Sequence, residues 1–163
     1  MPNTYQMKYR QLTKEQFEEL HEEFARFLAS QKIDVSEWEK IKRDKPATAE
    51  EELNVFSDLV WDDVLSKSEF IEHYSKSSIN LFKCQETLIE RIMVKTSNPL
   101  IDFLKKEGLD WLSKNAGDSS LEYFYAHKDY SKDRNLELFD LVEKGGIMTK
   151  GYLYNSIAEV IKK

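Results

Sequence analysis

One cysteine, three histidines and a scatter of carboxylates are the groups through which this chain could do chemistry. A cysteine nucleophile needs a thiol acidified by a nearby cation or a helix N-terminus, and an oriented base beside it. Cys84 falls at the end of a stretch with strand character. His73 and His127 fall on two other such stretches, so only the fold could bring the three together. The plainer reading, that Cys84 is a small buried filler, is the one adopted. His21, His73 and His127 show no H-x-H, H-x₃-H or C-x₂-C spacing, and structural zinc sites usually announce themselves by close pairs. A site assembled in space from His73, Cys84 and His127 stays as the alternative; the expectation is no metal, no cofactor and no catalytic residue. His21 lies one turn from Phe17 and reads as a helix-edge residue. The glycines at 108, 117, 145, 146 and 151 make no phosphate-cradling loop.

Tyrosine is the other conspicuous side chain. Tyr123, Phe124, Tyr125 and Tyr130 crowd one strand-like stretch, and Tyr152 and Tyr154 follow near the C-terminus. Tyrosines that alternate onto both faces of a strand form a half-buried wall with hydroxyls at the surface. The functional reading is a partner-binding face, because tyrosine is enriched at interface centres. Tyr123, Tyr125 and Tyr152 are the candidate binding residues.

The elements that must position these groups are legible in the hydrophobic spacing. Three runs dense in branched and aromatic residues, 69–74, 79–84 and 88–95, are joined by links too short for parallel crossovers, which predicts an antiparallel meander. Alternation puts Leu88, Glu90, Ile92 and Val94 on one face of the third strand. Ile89, Arg91, Met93 and Lys95 take the other, wetter face. Before the meander, helices are predicted from Thr13 to about Ser30, from Ser36 to Pro46 and from Thr48 onward, each opened by a capping-box spacing. The third should lie against the sheet, with Phe56, Val60, Phe82 and Ile92 in one cluster. After the meander come a helix from Asn98-Pro99 interrupted at Gly108, a fourth strand over 121–127, a helix stopped by Gly145-Gly146, and a last helix capped by Thr149. The fold class is therefore α+β: three N-terminal helices, a three-stranded antiparallel meander, a helix, a fourth strand and two C-terminal helices. Residues 1–163 are expected to form a single domain, with 1–6 disordered and Met7 as the natural start.

Composition narrows the function. With 40 % hydrophobic residues the chain is no disordered segment, and no run approaches the ~18 apolar residues of a membrane span. The N-terminus lacks a basic-then-apolar signal pattern, and a lone cysteine allows no internal disulfide. A cytoplasmic protein without membrane attachment is expected. The whole formal charge of −6 sits in residues 1–65, a poor partner for a phosphate backbone, so no nucleic-acid binding is expected.

Met7-Lys8-Tyr9-Arg10, Leu12-Thr13, Phe27-Leu28-Ala29, Trp38-Glu39-Lys40-Ile41, Phe56-Ser57-Asp58 and Trp61 carry a likeness through the first half of the chain. Val64-Leu65-Ser66-Lys67, Glu72-His73, Phe82-Lys83-Cys84 and Tyr130-Ser131-Lys132 continue it. Together they resemble a family of small bacterial proteins described only as a conserved domain of unknown function. The resemblance implies a compact bacterial cytoplasmic protein and brings no activity with it. The element order is also similar to the core of restriction-endonuclease-like nucleases, whose chemistry needs acidic groups to hold a metal ion. The chain has neither Asp-x-Lys nor Glu-x-Lys, and the nearest strand carboxylates are Glu72 and Glu90. The reading favours a non-catalytic protein-interaction module, its partner another protein or a second copy of itself. The alternative is a metal-dependent phosphodiesterase with a site dispersed over Glu72, His73, Glu90 and His127.

Overall fold

A computed structural model describes residues 5–162, so the expected disorder of 1–6 falls largely on residues outside the described ones. The chain divides into two compact units, residues 1–64 and 65–163.

The first unit is helical. Thr13 opens α1 (Lys14–Glu19) with the expected capping box: its hydroxyl accepts from Gln16 N, and the Gln16 side chain accepts from Thr13 N. The helix does not run unbroken to Ser30. It breaks at Leu20 and restarts as α2 (His21–Ser30). Asp34, not Ser36, caps α3 (Val35–Asp44), accepting from Glu37 N at 2.8 Å. Pro46 both ends that helix and opens α4 (Pro46–Lys67), as its fixed φ and missing N–H allow. Phe56 of α4 is buried among Phe17, Phe24 and Phe27, with ring centroids 5.0–6.1 Å apart. Residues 5–12 form a strap held on α4. The buried Asp58 carboxylate takes Tyr5 Oη (2.6 Å) and Lys8 N (2.8 Å) on Oδ2, and Tyr9 N (3.0 Å) on Oδ1. Leu12 N donates to Ser57 Oγ, and the Arg10 guanidinium lies 4.8 Å over the Trp61 ring. Lys8, Tyr9, Arg10, Leu12, Ser57, Asp58 and Trp61, all among the residues that carry the family likeness, build this latch.

The second unit is built on the sheet. The predicted meander is present as β1 (Phe70–Tyr74), β2 (Ser78–Cys84) and β3 (Leu88–Thr96), all antiparallel. The predicted fourth strand, β4 (Leu121–Asp129), pairs antiparallel with β3. A short β5 (Ile147–Thr149), which the spacing did not predict, pairs with β1, giving the order β4-β3-β2-β1-β5. Three helices accompany the sheet: α5 (Lys106–Lys114), α6 (Arg134–Glu143) and α7 (Tyr152–Lys162).

One sheet face carries the core. Phe70, Ile79, Leu81, Ile92 and Val94 are buried against Phe103, Leu112 of α5, and Tyr154 and Ile157 of α7. The expected cluster of Phe56, Val60, Phe82 and Ile92 is therefore corrected. Ile92 pairs across the sheet with Leu81, so Phe82, one residue on, points to the other face, and the ring contacts of Phe56 lie within the first unit. A second correction concerns Asn98-Pro99. No helix starts there, because Asn98 and Asp102 accept from the N–H groups of Leu100 and Leu104, two residues on, which competes with helical bonding. The loop instead delivers Phe103 into the core, its N–H held by Lys76 O at 2.8 Å. Gly108 is buried inside α5 rather than breaking it. Gly145, at φ +103°, and Gly146 end α6 as expected; a Cβ on Gly146 would meet Ile71 and the Leu141 carbonyl. Among the described residues no helix is long and apolar enough to cross a membrane.

Candidate functional site

The tyrosines stand on the cored face of the sheet and on the helix that covers it. Tyr123 is half-buried against the core, its hydroxyl donating to Ala116 O. Two residues on, Tyr125 is 51 % exposed and donates to Glu90 Oε1 at 2.6 Å, which holds the Glu90 carboxyl below its ordinary range. Tyr152 is 76 % exposed in the first turn of α7. Tyr154, in contrast, is buried, its ring 5.7 Å from Phe70.

Their strand is an edge, and its phase is fixed. Ser97 N donates to Ser120 O, so along β4 the residues 122, 124, 126 and 128 turn their N–H and C=O groups toward β3. The intervening Tyr123, Tyr125 and His127 turn theirs outward. Among the described residues nothing bonds these outward groups. From Phe124 to Asp129 every side chain is exposed, on both faces of the sheet.

The groups considered for catalysis do not all converge: His73 and His127 both line one groove, and Glu72, Glu90 and Cys84 are not among its lining. Glu72 and His73 are neighbours on β1 and so point to opposite faces. Glu72 is buried and satisfied, accepting from Tyr74 Oη and, at 3.0 Å, from Thr149 Oγ1, which ties β1 to β5. Glu90 shares the cored face with Tyr125. Cys84 is buried, and burial pushes its thiol up to about 12 despite the opposing pull of Arg134. That guanidinium donates to the carbonyls of Leu65, Ser68, Cys84 and Gln85, and ties the end of α4 to the β2–β3 turn. Among the described residues no three His, Cys, Asp or Glu side chains come together in a way that could hold a metal ion.

A second feature, the groove that His73 and His127 line, lies on the other sheet face. The groove, of about 680 Å³, runs between that face and α6. Its apolar lining comes from Ile71, Phe82 and Ile89 on the sheet and Leu141 on α6, and His73, Arg91, His127 and Lys144 stand along it. The Arg91 side chain is fixed: Nε and Nη2 donate to Asn80 Oδ1 at 2.9 and 2.6 Å, with the guanidinium 5.7 Å over the Phe82 ring. Two more cations on the rim are paired, Lys128 with Glu137 at 3.0 Å and Lys132 with Asp140. Alternation had marked this face of β3 as the wetter one. It could not show that α6 would roof it.

Over residues 7–162 the chain matches a family model described as a family of unknown function, DUF6495. No curated protein and no solved structure matches it.

Proposed function

The chain belongs to that family of unknown function, and from its own geometry we propose a non-catalytic protein-interaction module that pairs with a second copy of itself along β4. The observation that carries this reading is the outward row of backbone donors and acceptors on a nine-residue edge strand. Folded proteins usually blunt such an edge by shortening, covering or charging it, because it templates pairing with another chain. Here it is long and uncovered.

The sequence of β4 also suits pairing with itself in one register. In a two-fold antiparallel ribbon centred on Tyr125, the two Tyr125 residues exchange backbone bonds across the axis. Tyr123 then faces His127 of the second copy, Phe124 faces the small Ala126, and Glu122 faces Lys128. Opposed charges and aromatic pairs each add ~0.2–1 kcal/mol across a ribbon, and like charges set opposite one another destabilise it. A slip of two residues either way separates Glu122 from Lys128. Tyr125, half-exposed beside Glu90 at the centre of the seam, carries the aromatic surface offered to the second copy, whereas Tyr152 follows β5 at the opposite border and is left out of this pairing. The reading sets the module in the bacterial cytoplasm, off the membrane and away from nucleic acid.

The test is sedimentation velocity across the soluble concentration range. The wild type should be a dimer. Glu122→Lys and Lys128→Glu should each shift it to monomer, and the double swap should restore dimerisation. A further variant, Tyr125→Ala, should weaken association while circular dichroism stays native. A wild type that is monomeric at every concentration, or a double swap that does not recover, overturns the proposal.

A further inference from the structure

We infer that the groove between α6 and the outer sheet face binds a small amphiphile with an apolar body and a single anionic head. Three observations converge on this class. The first is size and lining. About 680 Å³ lined by Ile71, Phe82 and Ile89 of the sheet and Leu141 of α6 lies within the range of small-molecule sites, which are mostly apolar with a few placed polar groups.

The second is charge. The carboxylates that reach the groove are already engaged. Glu137 Oε1 takes Lys128 Nζ together with the backbone and hydroxyl of Ser131, and Asp140 Oδ2 takes Lys132 Nζ. Arg91 and Lys144 have no carboxylate partner among the described residues, so the uncompensated charge of the lining is positive. This occurs in a chain whose formal net charge is −6, so the sign is local to the groove.

The third is preorganisation. Asn80 holds the Arg91 guanidinium by two bonds to one oxygen, while the Phe82 ring supports it from the apolar floor. A guanidinium so fixed loses little freedom when it meets an anion, and its remaining N–H groups suit the oxygens of a carboxylate or a phosphate. A cationic amphiphile finds no such counter-charge. An inorganic anion alone gains nothing from the floor. The two halves of the groove thus specify the two halves of the ligand.

Isothermal titration calorimetry on the full chain, with decanoate below its micelle concentration, tests the inference. One saturable site is expected. Arg91→Gln and Lys144→Gln should each weaken it by about tenfold, the loss expected for one charge-assisted contact. Decyltrimethylammonium should bind at least tenfold more weakly than decanoate, and inorganic phosphate should give no saturable heat. Lys144 is exposed at the end of α6, so its variant keeps the test open if Arg91→Gln disturbs the sheet. Absence of saturable decanoate binding, equal binding of the two head groups, or binding unchanged in Lys144→Gln and Arg91→Gln overturns the inference.

Discussion

Asp58 makes the sharpest test of how the N-terminal strap is held. The residue is 5 % exposed, and its two oxygens take three donors of different kinds. Oδ2 receives a hydroxyl, Tyr5 Oη, and a backbone amide, Lys8 N; Oδ1 receives the backbone amide of Tyr9. A hydrogen bond to a charged group contributes ~1.5–3 kcal/mol net. Three such bonds would sum to more than Asp58→Ala can cost, because the strap is only half-buried and water can reach its freed N–H groups. The desolvated charge also disappears with the carboxylate. A loss of about 2–4 kcal/mol is expected. The isosteric Asp58→Asn should cost nearly as much. A hydroxyl could turn and accept from the new amide group, but a backbone N–H cannot. Because each carboxylate oxygen already takes one backbone N–H, either orientation of asparagine leaves a donor facing a donor. Urea denaturation followed by circular dichroism gives the stability. Hydrogen exchange at the amides of Lys8 and Tyr9 locates the damage, and both should lose protection while β3 amides keep theirs. An Asn variant within ~1 kcal/mol of wild type would refute the reasoning, since it would mean the carboxylate is not what holds the strap.

Two further outcomes follow from the second unit. Phe103→Ala should cost about 3–5 kcal/mol in chemical denaturation, because it empties a fully buried site in the sheet core; a loss under ~1 kcal/mol would show that the loop does not seal the core. Cys84, with its thiol pushed up to about 12 by burial, should react with a thiol reagent at pH 8 only as fast as the protein opens; rapid stoichiometric labelling of the native chain would refute this.

How much of this was legible in the sequence depended on whether the signal was local. The meander could be read because its links are short and its apolar residues alternate, and the faces of β3 came out as alternation placed them. The α1–α2 break at Leu20 could not be read, because Phe17, Leu20, Phe24 and Phe27 keep helical spacing straight across it. Asn98-Pro99 misled because a good helix-opening pair there serves an Asx turn, and only the Lys76 carbonyl and the core cavity decide between them. β5 had three residues and no periodicity to offer; it exists because Glu72 and the edge of β1 wait for it. Tyr123, Tyr125 and Tyr152 were legible as candidates by residue type. That β4 would be an outer strand, with the backbone of Tyr123 and Tyr125 turned outward, needed the strand order. The groove was the least legible feature, since Arg91 and Lys144 lie far apart in sequence and come to one groove only through the return of α6 over the sheet.

The two borders of the sheet are unequal, and this inequality limits how far an assembly could grow. β4 is nine residues long, while β5 at the opposite border has three and runs at once into Lys150 and the left-handed Gly151, which is packed on the Phe70 ring. A strand that short offers an incoming chain too little ladder to hold. Two copies joined along β4 would each turn this poor border outward, so addition would stop at the pair and no open-ended filament would follow. A mutation that lengthened β5 into regular strand would remove the stop, and its first symptom would be fibre formation in an otherwise well-folded protein.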